Sequence, residues 1–181
     1  MAKRLEGIDE ELAAWMGRQH LFFVATAPFS GEGHVNCSPK GGDAFRVIGP
    51  LEVAYQDYTG SGAETAAHLR ENGRILLMFC AFEGKPQIVR LHGRGRLVAL
   101  GDPDFERLSG PFPPNPGTRA MVHVEVERVS SSCGFSVPLM DFRADRPALD
   151  RWAEAKGREG LADYRREKNV RSLDGLPAFD L

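Results

Sequence analysis

The chain has 181 residues, of which 42% are hydrophobic and 27% are charged, and its formal net charge is -2 at pH 7. This length and composition predict one globular domain with a substantial core and exclude a disordered chain. The near-neutral charge gives no overall attraction to nucleic acid or membranes, and no apolar run approaches the roughly 20 residues that cross a bilayer.

The cysteines and the first residues predict a cytoplasmic protein. Cys37, Cys80 and Cys133 are odd in number, lie far apart, and form no paired metal-ligand spacing. Residues 1–15 lack the apolar core of a signal peptide. We therefore expect reduced cysteines, no metal site and a cytoplasmic location.

The periodicity of apolar residues predicts a strand-rich chain with short turns. In chain order the predicted elements are a helix over 9–19, a buried strand over 21–28, a strand from His34 that breaks at Pro39, a hairpin of Phe45–Ile48 and Leu51–Tyr55, a helix before Gly73, strands over 74–82 and 87–100, a helix near 103–108, a strand over 119–131, and helices over 147–156 and 161–168. This order favours antiparallel pairing in a barrel or a sandwich.

A glycine-rich turn lies directly before the helix that ends at Gly73. Gly60 and Gly62 let the backbone approach a ligand closely, and Ser61 with Glu64 has the spacing of a capping box. The free N–H groups and the dipole of a helix start favour an anion, so one interpretation is a phosphate site. The other is a plain connection between a strand and a helix, and the turn alone does not decide between them.

Two strands carry polar residues at alternating positions. Asn36, Ser38 and Lys40 are expected on one face of the first strand, where they could contact a polar ligand. The alternative is an edge strand that Pro39 and Lys40 protect from pairing with another strand. On the later strand, a second shared face carries Arg90, His92, Arg94 and Arg96. That face suits a bound phosphate or exposure to solvent. Gly93 and Gly95, on the opposite face, allow another backbone or a flat ring to lie close to the strand.

The segment 130–138 closes the last strand with small hydroxyl groups and Cys133. The thiol is either reactive or, with no cation or helix start placed beside it, a small buried group. The chain has no nucleophile-elbow motif, and its five histidines have no spacing typical of a catalytic triad or a zinc site.

Three segments together resemble the pyridoxamine 5'-phosphate oxidase-like superfamily of FMN-binding split barrels. They are GHVNCSPKGGDAFRV, YQDYTGSGAETAAHLRENGRILLMF and QIVRLHGRGRLV, and the carboxyl-terminal pieces SSCGFSVPLMDF and KNVRSLDGLPAFDL resemble an uncharacterised branch. The resemblance implies a mainly β (α+β) fold, a six-stranded antiparallel split β-barrel over 1–140, with flanking helices. Residues 141–181 form a C-terminal helical extension and tail, packed on the barrel or on a dimer partner.

The resemblance also implies a homodimer with FMN at the subunit interface and oxidoreductase activity on an unknown small-molecule substrate. The expected cofactor-binding residues are Asn36, Ser38, Pro39, Lys40, Gly41, Tyr58, Thr59, Gly60, Ser61, Thr65, Gln87, Arg90, Ser132, Cys133 and Arg171. The resemblance assigns no catalytic residue. Alternatives are a non-catalytic flavin-binding or sensor protein, and a barrel that binds deazaflavin or haem.

Two departures from the family pattern speak against the pyridoxal phosphate-forming reaction. True pyridoxamine phosphate oxidases have an Arg-Lys pair just before the helix, where this chain has Ala63-Glu64-Thr65. Their carboxyl-terminal arginine, followed two residues later by a histidine, is also missing, since no histidine follows His123.

Overall fold

The computed structural model describes residues 3–181 and consists of one antiparallel sheet with flanking helices. The elements are β1 (Lys3–Leu5), α1 (Glu10–Gly17), β2 (Leu21–Thr26), β3 (Asn36–Gly41), β4 (Phe45–Gly49), β5 (Glu52–Tyr58), α2 (Glu64–Glu71), β6 (Arg74–Cys80), β7 (Ile88–Ala99), α3 (Phe105–Ser109), β8 (Thr118–Ser132) and α4 (Ala148–Lys168).

The sheet curls into the expected split barrel, with more strands than expected. The strand order is β3-β2-β6-β7-β8-β5-β4, and the short β1 pairs with β8. Every pairing is antiparallel. The mainly β fold is confirmed, but the path has seven strands rather than six. β3 and β4 are the two edge strands, and the gap between them is the split of the barrel. Side chains rather than backbone hydrogen bonds must close the barrel there.

Aromatic rings close part of the split. Phe22 of β2 and Phe79 of β6 contact Phe45 of β4, with ring centroids 5.5 and 4.8 Å apart. Phe22 also meets the ring of Tyr55, on β5, edge-on at 5.6 Å. Because β2 and β6 share no ladder with β4 or β5, these rings hold the two sides of the sheet together. Met16 of α1 joins the same core.

Pro39 does not end its strand, which corrects the expectation of a break there. β3 runs without interruption from Asn36 to Gly41 and pairs Pro39 with Phe23. A proline removes a backbone donor, which is tolerated on an edge strand because one side has no partner. β3 is such an edge.

The two helices expected near the carboxyl terminus are present as the two halves of α4, which meet at a kink at Gly157. Gly157 has a φ of 63°, a left-handed conformation that favours glycine. Beyond α4 the tail folds back over α2, where Ala178 packs with Ala63, Ala66 and Ala67. No helix in the described range 3–181 is long and apolar enough to cross a membrane.

Two glycines of β7 allow the close approaches expected on its buried face. A Cβ at Gly93 would lie 2.1 Å from the carbonyl oxygen of Glu125, at a register shift between β7 and β8. A Cβ at Gly95 would lie 2.9 Å from Cδ2 of Leu69 in α2. Gly93 therefore accommodates a neighbouring backbone, and Gly95 accommodates the helix that follows the glycine-rich turn.

We predict that Gly93→Ala destabilises the fold by about 3 kcal/mol, because the rigid backbone of Glu125 blocks the added methyl group. Urea unfolding followed by circular dichroism measures the change. Gly31→Ala is the matched control, since a Cβ at Gly31 meets nothing within 4 Å, and it should shift stability by about 0.5 kcal/mol at most. Equal stabilities of the two variants would contradict the steric argument.

Candidate functional site

The polar face of β3 points into the split, towards β2 and the start of α2. The Asn36 side-chain amide donates to the hydroxyl oxygens of Thr26, at 3.2 Å, and Thr65, at 3.0 Å. Ser38 donates to Oδ1 of Asn36 at 3.0 Å. The predicted common face of Asn36, Ser38 and Lys40 is therefore present, and it connects β3 to the helix behind the glycine-rich turn.

His68 extends this polar chain into the interior. Its ring is fully buried on α2, and Nδ1 lies 2.9 Å from Oγ1 of Thr26. Burial lowers the pKa of His68, although the carboxylates of Glu71, Asp174 and Glu64 act in the opposite direction. A neutral imidazole thus forms part of the contact between α2 and the sheet.

The buried carboxylate of Asp57 joins the two sides of the split. Lys40 Nζ of β3 lies 3.1 Å from Asp57 Oδ1, and Arg119 Nε of β8 lies 2.7 Å from Oδ2. The side chains of Asp57 and Arg119 are 3% and 6% exposed, so water screens this pair weakly. Burial raises the pKa of Asp57, but the two cations outweigh burial, and the pKa lies below its usual value.

The backbone of the glycine-rich turn is held by side chains distant in sequence. Arg119 Nη2 donates to the carbonyl oxygen of Gly62 at 2.9 Å, and Asn169 Nδ2 donates to that of Gly60 at 2.8 Å. Arg165 Nε donates to the Thr59 hydroxyl oxygen at 2.8 Å. The turn is therefore built jointly by β5, β8 and the end of α4.

The prediction of a capping box at the start of α2 is wrong. The N-cap residue is Ala63, and no side chain caps the helix. Ser61 is exposed, while Glu64 accepts a hydrogen bond from the tail, from the backbone N–H of Leu173 at 3.2 Å. The expected stop at Gly73 is confirmed, since its φ is 69° and its N–H donates to the carbonyl of Leu69.

Positive charge exceeds negative charge around this turn. Lys40, Arg119 and Arg165 converge near it, and the two carboxylates there are Asp57, which pairs with the first two, and Glu64 at the start of α2. No carboxylate within residues 3–181 lies within 4.0 Å of the Arg165 side-chain nitrogens. Burial and the charge of Arg119 lower the pKa of Arg165, as expected for a cation without a counter-ion.

Several other predicted residues form a second group at the junction of β7 and β8. Arg90 Nη1 donates to the Ser132 hydroxyl at 3.1 Å, and Gln87 Nε2 donates to that of Ser131 at 3.3 Å. Cys133, which follows directly, is exposed rather than buried. β2 and β6 separate this group from β3, which corresponds to about 14 Å across the sheet. The two groups also lie on opposite faces of the sheet, since Lys40 shares the inner face with Phe22, whereas Arg90 shares the outer face with Phe23.

Three predicted residues have contacts elsewhere. The Tyr58 hydroxyl donates to Gln56 at 2.8 Å, on the side of the proline-rich loop. Arg171 donates to the carbonyl of Gly175 within the tail, at 2.7 Å. Gly41 lies at the exposed end of β3. The structure thus brings none of these three into hydrogen-bond contact with the turn.

A cavity of about 720 Å³, which the sequence did not indicate, lies between the end of α1, the loop before β7 and residues 140–143. His20 and Phe142 stack on its wall with ring centroids 3.6 Å apart. The backbone N–H of Met140 donates to the Phe82 carbonyl at 2.9 Å, which holds the irregular segment in place. Gln87 belongs to both this cavity and the second group.

The comparisons with known proteins identify the class. The family model described as pyridoxamine 5'-phosphate oxidase matches residues 8–133, so the chain belongs to the pyridoxamine 5'-phosphate oxidase family. It is 41% identical over 193 residues to the family protein ustO of Aspergillus flavus, covering 96% of this chain and 76% of that protein.

Solved structures share the fold at low sequence identity. HupZ of Group A Streptococcus has a TM-score of 0.51 at 22% identity, and the match covers 67% of this chain and 91% of that protein. A Lactobacillus delbrueckii protein, provisionally described as a pyridoxamine 5'-phosphate oxidase, has a TM-score of 0.52 at 15% identity, with coverage of 70% and 98%. These likenesses confirm the architecture alone.

We predict that Asp57→Asn lowers the free energy of unfolding by about 3–5 kcal/mol, because two largely buried cations lose their counter-ion. Urea titration at neutral pH measures the effect. Glu127→Gln removes the carboxylate of the exposed Arg94 pair and should cost less than about 1 kcal/mol. An Asp57→Asn variant as stable as this control would refute the importance of the buried pair.

The same carboxylate should produce an acid-dependent loss of stability. The pKa of Asp57 lies below its ordinary value of 3.8, so its contribution is complete above that value and is lost as pH falls through the folded-state pKa. We therefore expect the stability difference between wild type and Asp57→Asn to be constant near neutral pH and to shrink below about pH 4. A difference independent of pH would contradict this assignment.

Proposed function

We propose that the protein binds FMN as a homodimer and acts as an FMN-dependent oxidoreductase. The observation that carries the proposal is the excess of positive charge at a glycine-rich turn that starts a helix. A flavin mononucleotide has a terminal phosphate, which suits an anion-binding turn at the start of a helix, and a long flat body that extends beyond that turn.

The residues at the turn fit a phosphate group despite the missing Arg-Lys pair. Cations come instead from Lys40, Arg119 and Arg165, and the exposed Ser61 offers a hydroxyl group. Because Arg119 and Asn169 occupy carbonyl oxygens of the turn, these oxygens do not face an incoming anion. The backbone of the turn therefore presents donors, although the Glu64 carboxylate lies beside it, with Oε2 2.8 Å from the place of a Cβ on Gly62.

The outer face of the sheet provides a surface on which the flat ring system of FMN can lie. The register places Pro39, Phe23, Met78 and Arg90 side by side on β3, β2, β6 and β7. Phe23, Met78 and Arg90 are half-buried. A second subunit placed over this strip would exclude water from the ring system, which supports the proposed dimer. When bound, FMN supplies the redox chemistry, and the protein residues bind and orient it.

The substrate is proposed to enter the cavity beside Gln87. Its volume of about 720 Å³ lies within the range of small-molecule sites, roughly 300–1,000 Å³. Trp15 and Phe82 provide apolar walls, and the charged lining is balanced, with Arg18, Lys85 and Arg143 against Glu11, Glu83 and Asp141. This lining suits a small planar molecule with polar substituents.

The alternatives differ in what they require of the exposed face of β7. A deazaflavin with an acidic tail needs an unneutralised basic stripe, whereas Arg94 pairs with Glu127, and Arg96 pairs with Asp102 and Asp104. FMN is therefore favoured. A flavin-binding protein without turnover has the same contacts, and steady reduction by a nicotinamide followed by reoxidation distinguishes the two. The unpaired cysteines support a reducing, cytoplasmic location.

The first experiment is the visible absorption spectrum of the purified protein, with mass identification of any molecule that denaturation releases. A yellow protein that releases FMN is the expected result. A protein that is colourless and also fails to take up added FMN would overturn the proposal.

We predict that Lys40→Ala and Arg90→Ala each weaken FMN binding about tenfold, because each removes a cation from one of the two groups. Quenching of flavin fluorescence on titration with protein measures the dissociation constant. Arg94→Ala is the control, since Arg94 lies on the same strand face as Arg90 but pairs with Glu127. Unchanged affinity in both test variants would remove these two residues from the site.

A further inference from the structure

The C-terminal helix places a cation at the turn, where this chain lacks the Arg-Lys pair of the family pattern. Ala63-Glu64-Thr65 stand where the family pattern has the Arg-Lys pair, and none of them carries a positive charge. Arg165, near the end of α4, bonds to Thr59 at one end of the turn and donates to the carbonyl of Thr118 at 3.2 Å. A residue more than a hundred positions away thus occupies this end of the turn.

The contacts of Arg165 leave its charge uncompensated. Its side chain is half-buried, and its protein acceptors are a hydroxyl and a carbonyl oxygen. The hydroxyl of Thr118, beside it, is buried without a partner among residues 3–181. A partly desolvated guanidinium without a carboxylate partner lacks a compensating negative charge, and a nearby anion would supply that charge.

Arg119 orients the turn for the same anion. It donates to the carbonyl of Gly62 at 2.9 Å and to that of Gly60 at 3.4 Å. In a trans peptide the C=O and the following N–H point in opposite directions, so the N–H groups of Ser61 and Ala63 point away from the arginine. Within residues 3–181 neither N–H finds a backbone acceptor.

The end of α4 fixes both arginines at once. Asn169 is fully buried, accepts from Arg119 through Oδ1 at 2.8 Å and donates to the Gly60 carbonyl at 2.8 Å. The ring of Phe179 in the tail covers the Arg119 guanidinium at 4.7 Å. The extension therefore forms part of the turn's support and does not merely cover the barrel.

We propose that Arg165 of the C-terminal helix supplies the positive charge for the phosphate of the bound ligand, and that Arg119 positions the N–H groups of the turn towards it. The inference rests on the proposed function in taking FMN as the ligand. It assigns phosphate recognition to residues 119 and 165 rather than to the segment 63–65.

The test compares FMN with riboflavin, which lacks the phosphate. Arg165→Gln should raise the dissociation constant for FMN roughly tenfold and leave that for riboflavin unchanged, because the lost interaction is specific to the phosphate. Arg165→Lys keeps the charge and should retain most of the preference for FMN. Arg166→Gln is the matched control, since Arg166 is exposed, pairs with Asp163 and should behave as wild type. Thermal melts establish that all variants are folded.

A second readout uses inorganic phosphate without flavin. Phosphate at millimolar concentration should raise the melting temperature of the wild type and of Arg166→Gln, but not that of Arg165→Gln. If the wild type binds FMN and Arg165→Gln weakens FMN and riboflavin equally or not at all, the inference fails while the proposed function stands. If the wild type does not bind FMN but shows the phosphate response that Arg165→Gln lacks, the proposed function fails while the anion site stands.

Discussion

The closure of the barrel depends on one buried carboxylate shared by two cations. β3 and β5 exchange no backbone hydrogen bonds, yet Asp57 on β5 binds Lys40 on β3 and Arg119 on β8. Because Arg119 also holds the glycine-rich turn, the same ion pairs that join the edges determine the shape of the candidate site. Stability and the proposed ligand binding therefore share their central residues.

Much of the fold followed from the sequence because strand alternation and turn residues are local signals. The faces of β3 and β7 were predicted from a period of two, and the stop at Gly73 from its glycine. The capping box failed because α2 begins at Glu64 with Ala63 as its N-cap, so that Ser61 lies outside the helix start, while Glu64 bonds to the tail. The continuity of β3 through Pro39 depends on the edge position of that strand, which is a property of the whole sheet.

The candidate site was only partly predictable, since its charges come from distant parts of the chain. Arg119 and Asp57 are 62 positions apart, and Arg165 and Thr59 are 106 apart. In the sequence, Arg165 is one of several charged residues in a polar helix and carries no distinguishing signal. The cavity beside His20 was likewise hidden, because the segment that closes it has no regular secondary structure.

The small side chains between α2 and the tail limit which substitutions this helix face can accept. Ala63, Ala66 and Ala67 leave space that Ala178 fills almost completely, with all four at most 2% exposed. A larger residue on α2 would push the tail outward and, through Phe179, uncover the guanidinium of Arg119. A substitution on this helix face therefore alters, through residue 178 and the tail, the cover of a charge that lies outside their contact.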